Sequence, residues 1–106
     1  MDVGPASPSL TNREIASVFD DIARRLELRK DNIFKIMAYR KVARSISELS
    51  EPVSKLVAED RIKEIPGAGE AITKKITEMV RTGRLEYYEK LKKEVSSSPP
   101  GPGSDH

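Results

Sequence analysis

Glycine and proline fall in only two kinds of place in this chain, and that placement limits the fold more than any other feature. Of the seven Pro and six Gly, five Pro and three Gly lie in residues 1–10 (MDVGPASPSL) and 96–106 (SSSPPGPGSDH). The others, Pro52, Pro66, Gly67, Gly69 and Gly83, each mark a boundary between segments of helical periodicity. Proline lacks a backbone donor and glycine carries the largest ordering entropy, so helices start and stop at these points. No segment shows the two-residue alternation of a half-buried strand. The expected fold class is all-α: a compact helical bundle of four main helices plus a short C-terminal helix, joined by short connections.

Thr11 to Val95 reads as the folded unit. Thr11-Asn12-Arg13-Glu14 is a capping box that opens the first helix, and Ile15, Val18, Phe19, Ile22 and Leu26 recur along one of its faces. Asp31 or Asn32 caps a second helix reaching about Glu48, with Val42, Ile46 and Leu49 as its inner stripe, joined by Ala38, Tyr39 and Ala43. Pro52 suits the first turn of a short third helix through Ala58, and Arg61 to Glu64 form one further turn. A fourth main helix starts near Gly69 and ends at Gly83, a good left-handed cap. Arg84 to Glu94 reads as a last amphipathic helix carrying Leu85, Tyr88 and Leu91. Residues 1–10 read as a disordered N-terminal tail and 96–106 as a disordered linker or tail, because neither has enough apolar side chain to offset ordering entropy.

Composition removes whole classes of chemistry. The chain of 106 residues has no Cys and a single His, at position 106. It therefore holds no disulfide framework, no thiolate zinc site, no His-based metal cluster and no Ser-His-Asp catalysis. No apolar run approaches the ~18 residues of a membrane span, and the N-terminus lacks a secretory apolar region. The localisation expected is cytoplasmic or nucleoid-associated. The formal charge of +2 predicts no partner by itself, but all 19 Lys/Arg and 15 of the 17 Asp/Glu lie between residues 11 and 95. Any anion site must come from the placement of those charges.

Ile65-Pro66-Gly67-Ala68-Gly69 lies between a short helix and a long one. Two Gly around a small residue permit a tight turn with positive φ, and they deliver backbone amides to a helix N-terminus, where partial positive charge favours phosphate. With Ile62, Ile72, Ile76 and the Gly83 cap, the pattern at about 59–82 resembles a helix-hairpin-helix, which grips a nucleic-acid backbone without reading sequence. Members of that group often hold Na+ or K+ on hairpin carbonyls. The resemblance implies such a monovalent cation on the carbonyls of Lys63, Ile65 and Ala68. The alternative is an ordinary helical corner with no ligand.

Helical spacing sorts the lysines. Lys35 falls within the apolar stripe of the second helix, stacked with Tyr39, Val42 and Ile46, so its stem is expected to be buried and its ammonium to reach a cleft. Arg40, Lys41 and Arg44 fall on the opposite, solvated face. On the fourth helix Ile72, Ile76, Met79 and Val80 define the core side and Lys75 borders it, whereas Lys74 points outward between Glu70 and Glu78. Partial desolvation and cationic neighbours lower an amine's pKa. Lys75 is therefore the candidate nucleophile for Schiff-base chemistry with a sugar aldehyde, and Lys74 the candidate surface pair. The plainer alternative has Lys75 snorkelling over the core or meeting a phosphate.

Together these segments resemble the N-terminal eight-kilodalton domain of family X DNA polymerases, in a form more bacterial or archaeal than vertebrate. The resemblance covers about residues 12–93. It rests on the opening helix NREIASVFDDIARRLEL, the block from Asn32 to Ala43 with Lys35, Ala38-Tyr39-Arg40 and Ala43, the Ile65–Gly69 hairpin, Lys75-Ile76-Thr77-Glu78, and Thr82-Gly83-Arg84-Leu85. It implies binding of gapped or nicked DNA at the 5′-phosphate end, in base excision repair, and, as in some members, removal of a 5′-deoxyribose phosphate by β-elimination without any cofactor. The family's Schiff-base lysine falls on Lys75, and its phosphate-pocket Lys and Tyr fall on Lys35 and Tyr39. A hairpin lysine falls on Lys63. Gly67, Ala68, Gly69 and Lys74 complete the expected DNA and phosphate contacts. Two positions depart from the pattern: Phe34 replaces a pocket His, and Ala71 replaces a second pocket lysine, which weakens the case for lyase chemistry more than for DNA binding. The resemblance also implies a monomer attached to a polymerase domain, whose metal-binding carboxylates this segment does not supply. A non-catalytic helical protein–protein interaction domain is the competing reading.

Overall fold

The computed structural model describes residues 10–94. The tails read at 1–10 and 96–106 lie, apart from Leu10, outside the described residues. Five α-helices follow in order: α1 (Asn12–Leu28), α2 (Ile33–Ser47), α3 (Val53–Ala58), α4 (Glu70–Thr82) and α5 (Glu86–Glu94), with a 3-10 turn at Ile62–Glu64 between α3 and α4. Among the described residues there is no strand. The all-α reading holds.

Local chemistry sets most of the boundaries. Thr11 Oγ1 accepts the Glu14 amide at 3.1 Å while Glu14 Oε1 accepts the Thr11 amide at 2.8 Å, so the capping box closes the start of α1. Asn32, rather than Asp31, caps α2 by accepting the amides of Phe34 and Lys35. Pro52 is the residue before α3 and offers no side-chain cap. Asn12 of α1 supplies it instead: its Oδ1 accepts the Val53 amide and its Nδ2 donates to the Glu51 carbonyl, both at 2.8 Å. Gly83 ends α4 at φ 77°, a left-handed cap. Two non-glycine residues, Lys30 and Asp60, also take positive φ where α1 and α3 end.

α1 and α2 form the central pair, α5 packs on α1, and α3 packs on α4. Ile15, Phe19, Ile22 and Leu26 of α1 meet Val42 and Ile46 of α2, all with no exposed surface. Burying such a side chain contributes about 1.5–3 kcal/mol against the entropy of ordering it. The stripe of α2 is centred one residue beyond Lys35: Ile36, Tyr39, Val42, Ala43 and Ile46 are buried, while Ala38 and Leu49 are half-buried and Lys35 is exposed. α5 is held partly by polar contacts, because Tyr88 donates its hydroxyl to Asp21 Oδ2 of α1 at 2.6 Å. Burial alone would raise the Asp21 carboxyl, but hydrogen bonds from Tyr88, Arg25 and Arg24 outweigh it and hold the pKa at about 2.

Candidate nucleic-acid interface

The hairpin is built from backbone. Ile65 donates its amide to the Ile62 carbonyl, Ala68 donates to Ile65, and Gly69 donates to Gly67, each at 2.9–3.0 Å. Gly67 sits at φ 89°, which a side chain would strain. The first arm of the hairpin is only the 3-10 turn at Ile62–Glu64. α4 then begins at Gly69, which has no side chain to cap it. The first intrahelical bond runs from Thr73 to the Gly69 carbonyl at 2.8 Å. The amides of Gly67, Glu70, Ala71 and Ile72 have no acceptor among the described residues, and those of Ala68 and Gly69, expected to face a phosphate, are spent inside the turn. An uncapped helix start of this kind suits an anion.

Three carbonyls of the hairpin were expected to hold a monovalent cation. The Ile65 oxygen accepts one bond, from Ala68, and the Ala68 oxygen accepts one long bond from Thr73 Oγ1 at 3.4 Å. The Lys63 oxygen accepts none among the described residues. Each oxygen retains a lone pair, the chemistry that a hard cation would need. The described residues hold no group of three or more His, Cys, Asp or Glu suited to a metal.

Behind the start of α4 lies a cleft of about 440 Å³ where the Leu85–Tyr87 segment folds back over α4. Lys75 is half-buried in it, with its Nζ 4.8 Å from the centre of the Tyr87 ring. Desolvation first, and then the nearby positive charge of Lys35, push the Lys75 amine below the ordinary lysine range, while Glu78 pulls the other way. Lys74 lines the same cleft but is exposed. It forms no ion pair with Glu70 or Glu78 among the described residues, contrary to expectation, and Glu78 Oε2 accepts the Glu86 amide at 2.8 Å. Glu70 and Glu78 also line the cleft, Glu70 exposed and Glu78 half-buried.

Lys35 and Tyr39 occupy different depths. Lys35 is exposed, its Nζ 3.9 Å from Asp31 Oδ2, yet near enough to act on Lys75 through its charge. Tyr39 is only 4% exposed. It stacks between Phe19, with ring centres 5.8 Å apart, and Tyr87, at 6.2 Å, and burial raises its hydroxyl well above the ordinary tyrosine value. The Tyr39 and Tyr87 hydroxyls interact electrostatically but not in hydrogen-bonding geometry, and the Tyr87 hydroxyl is buried without a partner. Lys63 is exposed on the 3-10 turn. Phe34 is 78% exposed at the start of α2, and Ala71 lines the cleft.

Two residues belong to this region that spacing did not single out. Tyr87 forms the wall above Lys75 and carries the stack to Tyr39. Lys41, assigned by angle to a solvated face, lays its stem over the hairpin, so that a Cβ placed on Gly67 would stand 3.2 Å from Lys41 Cγ. Only the tertiary packing of α2 against the turn reveals this contact.

An uncapped helix start after a glycine hairpin, set beside a desolvated lysine, is the arrangement of a backbone-gripping module. The chain belongs to the helix-hairpin-helix domain family, which matches residues 10–85. It is similar to the DNA polymerase/3′-5′ exonuclease PolX of Bacillus subtilis (strain 168), at 30% identity over 83 residues. The match covers 78% of this chain and 14% of that protein's length. The chain is thus a helix-hairpin-helix DNA-binding domain similar to part of a family X polymerase. No helix among the described residues is long and apolar enough to cross a membrane.

Proposed function

We propose that the domain grips the 5′-phosphate side of gapped DNA as the N-terminal part of a repair polymerase, and that Lys75 gives it 5′-deoxyribose-phosphate lyase activity. The observation that carries this reading is the pairing of free amides at Gly67, Glu70, Ala71 and Ile72 with a half-buried Lys75 whose cleft Glu70 and Ala71 also line. The amides, Lys35 and Lys63 supply the phosphate contacts, and Na+ or K+ on the Lys63, Ile65 and Ala68 carbonyls would add positive charge at the turn. Tyr39 acts from beneath by holding Tyr87 in place, and exposed Lys74 adds a cation at the rim.

The chemistry uses no resident cofactor. The neutral Lys75 amine adds to the C1′ aldehyde, and loss of water gives the imine. A base then takes a C2′ proton and the C3′–O bond breaks, leaving the DNA strand with its 5′-phosphate, and water hydrolyses the remaining imine to free the unsaturated sugar phosphate and the Lys75 amine. Glu70 and Glu78 are the carboxylates that line the cleft and are available to accept that proton.

Borohydride trapping on a 5′-deoxyribose-phosphate substrate tests the lyase step. The parent protein is expected to form an adduct that Lys75→Ala abolishes. An adduct unchanged by the substitution contradicts the assignment. The depressed Lys75 pKa sets the sign of the pH dependence: the reactive neutral amine accumulates as pH rises, so trapping increases with pH at a midpoint below an ordinary lysine's.

One observation favours a second reading. Ile33, Phe34 and Met37 on α2 are 56%, 78% and 59% exposed, a surface that a helical protein–protein interaction domain would use. Binding that stays constant with salt, and no binding to gapped DNA, would select it.

A further inference from the structure

We propose that the basic face of α2, continued into the groove between α1 and α2, is a second phosphate track that holds the DNA strand running on from the hairpin. The proposal rests on the DNA-binding reading above and extends it to a surface outside the Lys75 cleft. The groove is a recess of about 650 Å³. Its floor includes Ala16 and Ala43, whose small side chains let a backbone approach, and its walls include Arg13, Arg40 and Arg44, with Ser17 at the edge. A neighbouring recess of α2 shares Arg40 and Arg44 and adds Met37 and Lys41. Lys41 in turn lies over Gly67 of the hairpin. The band therefore runs without a break from hairpin to groove: Lys41, Arg44 and Arg40, then Arg13 across on α1.

Charge pairing within the protein leaves most of these residues available. Arg13, Lys41 and Arg44 make no ion pair among the described residues, whereas Arg24, Arg25, Arg29 and Arg61 each do. Arg40 is held by Glu27 at 2.7 Å, and Asp20 lines the groove. The working cations are thus Arg13, Lys41 and Arg44. Lys41 and Arg44 stand three apart on one helix, at about 5–6 Å between Cβ atoms, so they present a paired contact to one strand. A stripe of unpaired cations along a helix is the electrostatic footprint of a polyanion. Its continuity with the hairpin favours nucleic acid over an acidic protein.

Salt titrations of binding to 5′-phosphorylated gapped DNA test the track, using one duplex with arms long enough to pass over α2 and one trimmed to the hairpin. Arg13→Gln/Arg44→Gln changes two exposed side chains, and a thermal melt checks that the fold is intact. On the long DNA the double variant is expected to lose about tenfold in affinity, and the slope of log affinity against log salt to flatten by about 2, close to 0.9 per lost phosphate contact. On the trimmed DNA it should match the parent. An unchanged slope on the long DNA overturns the track while leaving the hairpin reading intact. Failure of the parent to bind either DNA overturns both. A poly-glutamate peptide that competes for Arg13 and Arg44, with no change in the DNA slope, assigns the groove to an acidic protein instead.

Discussion

The N-termini of α1 and α4 are built on opposite plans. At α1, Thr11 and Glu14 satisfy each other's amides, so the helix start carries a side-chain cap and leaves only the Asn12 and Arg13 amides without an acceptor among the described residues. At α4 the cap is Gly69, with no side chain to offer, and the amides of Glu70, Ala71 and Ile72 meet no acceptor from the described residues. A side-chain cap typically contributes about 1 kcal/mol. α1 uses that contribution for stability, and α4 forgoes it, which leaves its first amides open to the proposed phosphate. The hairpin is likewise narrowed to backbone where Lys41 crosses Gly67. Uncapped amides, a missing Cβ and an unpaired lysine meet at one corner of the proposed binding site, a combination that the α1 start lacks.

The largest effect is expected at the hairpin itself. In Gly67→Ala the new Cβ would meet Lys41 Cγ at 3.2 Å in a backbone of φ 89°. The strain should cost about 1–2 kcal/mol in a denaturant melt, and gapped-DNA affinity should fall about tenfold or more as the turn shifts. Affinity equal to the parent's would show that the turn does not touch DNA. Thr11→Ala is the control at the closed end. It should lose about 1 kcal/mol of stability, read as a lower melting temperature, with DNA affinity unchanged. The smallest change in stability sharpens the contrast most. Gly69→Asp converts the open end to a closed one, has open space around its Cβ, and should stabilise the fold by a few tenths of a kcal/mol while weakening DNA binding several-fold. A variant that gained both stability and affinity would remove the distinction between the two ends.

Much of this contrast was legible in the sequence, because it is local. The Thr11–Glu14 spacing, the Gly69 start and the Gly83 end depend on neighbours within one helical turn, and helical angle alone separated half-buried Lys75 from exposed Lys74. What spacing missed depends on contacts between elements. The apolar Ile33, Phe34 and Met37 blurred the period of α2, so Ile36 was not recognised as part of its buried stripe and Lys35 was set too deep. Lys30 and Asp60 turn the chain at positive φ without a glycine to announce it. Tyr87 and Tyr88 are adjacent on a short helix, and only the docking of α5 decides that Tyr88 bonds Asp21 while Tyr87 faces Lys75. Glu70 and Glu78 enter the cleft because the segment after Gly83 folds back over α4. Lys41 reaches the hairpin only through the packing of α2.

The central claim is that the open start of α4 receives a DNA 5′-phosphate. The most direct measurement is an amide NMR titration with two gapped duplexes that differ only in the presence of that phosphate. The account predicts large shifts at Gly67, Glu70, Ala71 and Ile72 with the phosphorylated duplex, much smaller ones without it, and none at the capped amide of Glu14. Equal shifts with both duplexes, or shifts absent from the first turn of α4, would contradict it.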